Sequence, residues 1–259
     1  DLSDYDAIKS FHFIQFYEGL LLAAEDASKK GIPIKLYVED INEQNTNKLK
    51  EMIQQGKFAD ADLIIGPFFS DEFAMMCEYA KNKNIPLVNP FSVTFDECNS
   101  TMFKVSASYQ SQAEQIGKYI AQKNDKAQII LVNNQSTGDI AKILAYKAGL
   151  IRSIPDSKQI SIKEINYAKE GVSGIQNAMN PDCENYVFTF FTGEINITNF
   201  IQRMYALKYE NVTLFAPSFW NEYDNIETEY FMSLKTHYVD PFFVDYSDPA
   251  IITFIDKFR

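Results

Sequence analysis

The chain has 259 residues, 46% of them apolar and 14% aromatic, with a formal net charge of -11. That is enough apolar material for one or two buried cores, and a field this negative excludes nucleic acid and anionic membrane surfaces as natural partners. No run of about 18 apolar residues occurs, so no segment reads as a membrane-spanning helix and no membrane insertion is expected.

Residues 1–6 are polar and are expected to fray. Apolar residues at Phe13, Phe16, Tyr17, Leu20, Leu21 and Ala24 mark one face of a helix over 13–30, closed by Gly31 with Pro33 beyond. Residues 34–40 read as a strand, 45–55 as a helix closed by Gly56, and 63–66 as a second strand. The run Leu63-Ile64-Ile65 enters Gly66-Pro67, and a helix opens at Ser70-Asp71-Glu72 and continues to Lys83. This is a buried parallel strand, a tight turn and a helix start, the unit whose strand ends hold ligands in open α/β sheets.

The pattern repeats. Residues 85–90 form a strand leading to the loop 91–94, and 102–106 form a short extended piece. Ser108 precedes a helix carrying Tyr109, Ala113, Ile116 and Ile120 on one face. Strands follow at 128–133, 159–166, 186–191, 212–216 and 234–239. Helices are expected from Thr137, weakly over 174–179, around Ile197–Met204, and from Asp248-Pro249 to the end. Alternation of this kind gives parallel sheets with right-handed crossovers. The number of units points to an α/β fold of two Rossmann-like lobes, residues 1–106 with 241–259 and residues 107–240. The chain opens on a helix where the pattern wants a strand, and it closes inside a helix. The expectation is a piece of a longer protein, truncated at both ends. No charged-then-apolar leader opens it, which leaves a cytoplasmic protein or one whose signal segment has been removed.

Chemistry-bearing motifs are scarce. Cys77, Cys98 and Cys183 have no metal-binding spacing, and Cys77 reads as a buried thiol with a Cys77–Cys98 bridge as the alternative. His12 and His237 stand alone. Phosphate-binding glycine loops, zinc-protease motifs and nucleophile elbows are missing. The acid pairs at Glu39-Asp40, Asp96-Glu97 and Glu222/Asp224 read as solvated loop charges. No enzyme activity and no cofactor is expected. The strand ends instead share aromatics and small hydroxyls or amides: Phe68-Phe69-Ser70, Phe91-Ser92, Ser108-Tyr109, Asn133-Asn134, Phe191-Thr192 and Phe219-Trp220. A crevice lined this way covers an apolar or ring-bearing ligand and orients it with a few hydrogen bonds.

Phe16-Tyr17-Glu18-Gly19, then Leu63 to Pro67, then Ile85-Pro86-Leu87-Val88-Asn89-Pro90-Phe91-Ser92 resemble the type I periplasmic binding proteins, whose best-known members serve branched-chain amino-acid ABC transporters. The likeness continues at Phe103-Lys104-Val105-Ser106 and Tyr109-Gln110-Ser111-Gln112-Ala113, and it is nearest to Bacteroidetes versions that accompany LysM repeats. The resemblance implies two lobes joined by three strands that close on a ligand by hinge motion. It implies a strand before Phe13, more chain after Arg259, and a periplasmic or cell-envelope location. It places the ligand carboxylate at Ser70, the amino group at the 91–94 loop, and a pairing acid at Glu222. Its partners would be a small molecule (an amino acid or a cell-wall fragment) and a membrane transporter or wall-associated protein. Asp71 and Glu72 in the first helical turn depart from that pattern, since both oppose an incoming carboxylate. Phe69 and Phe91 add bulk where small residues are usual, and Lys104 stands where an Arg is common. The expected ligand contacts are Phe69, Ser70, Phe91, Ser92, Tyr109, Asn134, Thr192, Trp220 and Glu222. The competing expectation is a binding-protein fold reused as a cell-wall interaction module, its cleft plugged by Phe69 and Phe91.

Overall fold

A computed structural model describes residues 10–41, 45–91 and 100–258. The chain divides into two compact units, Asp1–Leu49 with Phe243–Arg259, and Lys50–Phe242.

In the first unit, α1 (Ser10–Lys29) packs on α9 (Pro249–Phe258), and Lys257 Nζ meets Asp26 Oδ2 at 2.9 Å. That ammonium holds the exposed Asp26 carboxyl below its usual range, first through the hydrogen bond and then through its charge. Gly31 ends the α1 region at φ +82, a left-handed turn that a side chain would strain. Residues 32–40 pair in no ladder among the described residues, and Ile34, Leu36, Tyr37 and Val38 are exposed. The strand expected at 34–40 is therefore corrected to a segment that joins no ladder among the described residues. Alternating β-formers supply the propensity, but a strand exists only when a second backbone accepts its hydrogen bonds. α2 (Thr46–Gln54) spans the boundary between the units.

The second unit holds both sheets. The smaller is parallel, in order β1-β2-β3, with β1 Ile64–Ile65, β2 Leu87–Asn89 and β3 Met102–Lys104. α3 (Ser70–Lys83) connects β1 to β2 and buries Phe73, Met76, Cys77 and Ala80, one helical face at spacings of three and four. Asn84 stops it in the left-handed region at φ 54, where Asn is tolerated. Cys77 is buried with Sγ 3.6 Å from Met102 Sδ, and Cys98 lies outside the described residues.

The larger sheet runs β5-β4-β6-β7-β8, every pair parallel. Its strands are β4 Lys126–Asn133, β5 Gln159–Asn166, β6 Glu184–Thr189, β7 Val212–Pro217 and β8 His237–Val239. In β4, Ile129 and Leu131 face one core and Ile130 and Val132 the other. Period-two alternation with both faces covered is why Ile129–Val132 is a continuous apolar run. One core joins α4 (Tyr109–Lys123) and α5 (Thr137–Ser153) through Ala113, Ile120, Ile143, Tyr146 and Leu150. The other joins α7 (Glu194–Ala206) and α8 (Thr228–Ser233) through Ile197, Phe200, Ile201, Met204 and Phe231. Each Ile, Leu, Met or Phe among them contributes about 1.5–3 kcal/mol on burial. α4 and α5 approach so closely that a Cβ on Gly149 would stand 2.3 Å from the Gln110 carbonyl oxygen, which leaves room for glycine alone.

Three expectations about this unit change. The weak helix expected over 174–179 is part of α6 (Tyr167–Ala178), broken at Gly171, whose φ 57 and ψ -156 lie outside helical space. α8 has no counterpart in the sequence reading, because six residues are too few to display a period. The strand expected over 234–239 pairs only at His237–Val239, since Leu234 caps α8 and Thr236 N returns to Phe231 O.

Candidate functional site

In the larger sheet the chain passes from β4 out to β5 and then back across to β6, so its direction reverses between β4 and β6. The carboxyl ends flanking such a reversal are where open α/β sheets hold ligands. β4 ends at the buried Asn133, whose Oδ1 accepts from Gln135 N at 3.3 Å and Gln135 Nε2 at 2.7 Å. This side-chain turn leaves Asn134 exposed, and Ser136 then caps α5 by accepting from Asp139 N at 3.2 Å. β6 runs into Phe190 and Phe191, both buried, and then into exposed Thr192, with Gly193 at φ 82 opening α7.

Phe190 stacks edge-on against Tyr146, with centroids 4.6 Å apart, and against Tyr109 at 5.7 Å. Lys142 Nζ lies 5.9 Å from the Tyr109 ring and 6.0 Å from that of Phe190, within cation–π range. Burial pushes the Tyr109 phenol above its ordinary range. Tyr109 thus brings a half-buried ring and a neutral hydroxyl to the first turn of α4, beside the end of β6. Lys142 and Phe190 were absent from the sequence reading. Phe190 was hidden within the aromatic run Tyr186–Phe191, and nothing in a helical sequence says which lysine overhangs a ring.

Trp220 is fully buried, and its Nε1 donates to Phe191 O at 3.0 Å. It serves the core beneath the β6 and β7 ends rather than presenting its ring outward. Glu222, at the end of the 3-10 turn Ser218–Glu222 that follows β7, is exposed.

The smaller sheet carries an aromatic pair at its strand ends. Gly66, at φ +84, lets the chain turn after β1, and the Phe68 ring folds back to 3.0 Å from where a Cβ would sit. Phe68 meets Phe91 edge-on, with centroids 5.0 Å apart and planes at 75°. Phe91 is held there because its amide donates to Oδ1 of the buried Asn89 at 3.0 Å, at the end of β2. The ring that meets Phe91 is Phe68, a residue missing from the expected contacts. The sequence signal was a Phe-Phe pair, in which either ring fits. Phe69 is half-buried as the residue before α3, and Ser70 is exposed at the first position of the helix. No side chain caps this helix start, and its first turn holds Asp71, exposed, and Glu72, buried. Glu72 Oε1 has no hydrogen-bond partner among the described residues. Ser92 lies outside the described residues.

The arrangement offers aromatic cover, amides, hydroxyls and one lysine. Among the described residues no cluster of His, Cys, Asp and Glu suits a metal ion, and no helix is long and apolar enough to cross a membrane.

Residues 11–155 match the family described as periplasmic binding protein, more than half of the chain, and the chain belongs to that family. Its parallel two-sheet α/β fold recurs in solved structures. A putative branched-chain amino acid ABC transporter protein from Rhodospirillum rubrum is 11% identical with a TM-score of 0.68, over 97% of this chain and 73% of that one. An ABC transporter substrate-binding protein from Desulfitobacterium hafniense, in complex with Leu, is 16% identical with a TM-score of 0.59, over 94% and 71%. Full-length LpoA from Haemophilus influenzae is 12% identical with a TM-score of 0.62, over 94% of this chain but only 43% of its own length. At these identities the likeness is one of fold. Among curated proteins no match is found.

Proposed function

We propose that this protein is a non-catalytic, extracytoplasmic solute-binding domain of the ABC-transporter type. Two lobes, residues 1–106 with 241–259 and residues 107–240, would close on a small molecule such as an amino acid. The observation that carries the reading is the family match over residues 11–155. The strand ends around Asn134, Thr192, Tyr109 and Lys142 are the proposed contacts on the larger sheet, with Glu222 at the rim. Phe91, Phe68, Ser70 and Ser92 are the proposed contacts on the smaller one. Trp220 acts indirectly, by fixing the backbone before Thr192.

The test is a melting screen with leucine, other amino acids, benzoate and muropeptides. A ligand at 100 times its Kd stabilises by about 2.7 kcal/mol, which is readily seen as a rise in Tm. Flat melts across the panel would remove the reading. The Phe68–Phe91 contact favours a second reading, in which these rings close the site and an outer surface engages a wall-associated protein.

A further inference from the structure

The buried stripe of α3 runs through Phe73, Met76, Cys77 and Ala80, and Glu72, one turn before Met76, extends it to the start of the helix. An apolar residue would suit that position. A carboxyl group stands there instead, 1% exposed, and its Oε1 has no hydrogen-bond partner among the described residues. Enclosed polar atoms in native folds almost always have partners, so an orphan of this kind marks a place for a missing donor. Side chains on a helix tilt toward its N-terminus. Glu72 therefore leans toward the beginning of α3, at the carboxyl ends of the smaller sheet, where β1 has just ended.

Three observations say what donor fits. First, the neighbouring chain supplies no cation. Residues 62–80 and 84–103 hold no Lys, Arg or His, and Lys104, which ends β3, forms no ion pair among the described residues. Second, Asp71 stands beside Glu72 in the same first turn, exposed, so the negative charge there is doubled at the mouth. Third, the same strand ends carry the edge-on pair of Phe68 and Phe91, the latter 39% exposed. Ring faces attract cations and cover apolar carbon, so rings and carboxylates together select a cationic group on an apolar stem.

We propose that the smaller-sheet end of the ligand site takes a cationic N–H group, an ammonium or amidinium, with Glu72 as its acceptor. One N–H donates to Glu72 Oε1, Asp71 draws the charge in, and Phe68 and Phe91 cover the carbon next to it. A carboxylate is turned away from this end, since it would face two acids. This inference rests on the solute-binding reading and reverses the polarity that the resemblance implies at Ser70. In the free protein the enclosed oxygen lowers stability, and binding supplies its donor.

The probes share one apolar stem: isoamylamine carries the ammonium alone, isocaproate the carboxylate alone, and leucine both. Each is titrated into the whole chain at neutral pH by calorimetry, with amide chemical shifts recorded in parallel. Isoamylamine is expected to bind, to shift the amides of residues 70–73, and to bind more tightly than isocaproate. Its N-trimethylated form keeps the charge but has no N–H, and is expected to bind about tenfold more weakly. Glu72→Met is expected to weaken isoamylamine by about thirtyfold or more, and the exposed Asp71→Asn by several-fold only. Urea unfolding of the same variants shows that they are folded. Equal binding by the N-trimethylated form overturns the proposal, because general attraction to a negative chain would then suffice. So do isocaproate binding as tightly as the amine, parent affinity in Glu72→Met, or amide shifts confined to another surface. Leucine or benzoate stabilising the parent and Glu72→Met equally also overturns it, yet leaves the solute-binding reading standing. Absence of binding by every probe removes both.

Discussion

The indole N–H of Trp220 donates to the carbonyl of Phe191 at 3.0 Å, which ties the turn after β7 to the end of β6 beneath a candidate ligand contact, Thr192. The Trp220 ring also packs edge-on against Phe200, with centroids 6.1 Å apart. Trp220→Phe leaves the Phe191 carbonyl buried without its donor, at an expected cost of about 1–3 kcal/mol. Trp220→Ala adds a cavity and is expected to cost about 3–5 kcal/mol. Urea unfolding measures both, and a loss under 0.5 kcal/mol for the alanine variant would contradict a core role, a bound of roughly surface size.

Phe91 is 39% exposed, so Phe91→Ala is expected to change stability by less than about 1 kcal/mol. Its effect on ligand-induced melting shifts separates the two functional readings. A contact residue should give a smaller shift when truncated. A plugging ring should give a larger one, or a shift where the parent protein has none.

Glu72 is 1% exposed with an Oε1 that has no partner among the described residues, and a buried polar oxygen without a donor is costly. Glu72→Met keeps the length of the side chain and removes the carboxylate. The expected outcome is a gain of about 1–3 kcal/mol in chemical denaturation. A comparable loss would mean that the carboxylate is compensated.

Tyr146 is buried against Phe190 and donates its hydroxyl to Gln112 Oε1 at 3.1 Å. Burial raises its phenol pKa well above the ordinary value near 10. The folded state therefore keeps the proton longer than the unfolded chain does. Its contribution is complete below about pH 10 and declines as pH climbs toward the raised pKa. Tyr146→Phe should flatten that alkaline loss, and at neutral pH it should cost about 1–3 kcal/mol by stranding the Gln112 oxygen. Melting curves from pH 7 to 11 on both proteins test this.

The larger sheet was legible in the sequence because its strands carry their own evidence. β4 carries the apolar run Ile129–Val132, and Ser108 marks the start of α4 with a side chain that accepts from Ser111 N. The candidate site was less legible. The contact between the Phe68 and Phe91 rings was not foreseen, since adjacent residues differ only in the direction the backbone sends them. Trp220 is expected as a ligand contact, and the 3-10 turn points its indole inward to the Phe191 carbonyl.

By itself the sequence determined the α/β class, the order of most elements and the positions of their turns, because periodicity, caps and glycines act over a few residues. The tertiary structure alone decided that residues 34–40 join no ladder among the described residues, that Lys142 reaches the Tyr109 and Phe190 rings, and that Glu72 Oε1 is enclosed without a donor among the described residues. Each of these depends on which distant backbone or side chain arrives alongside, and pairing between residues far apart leaves no local trace in composition or spacing.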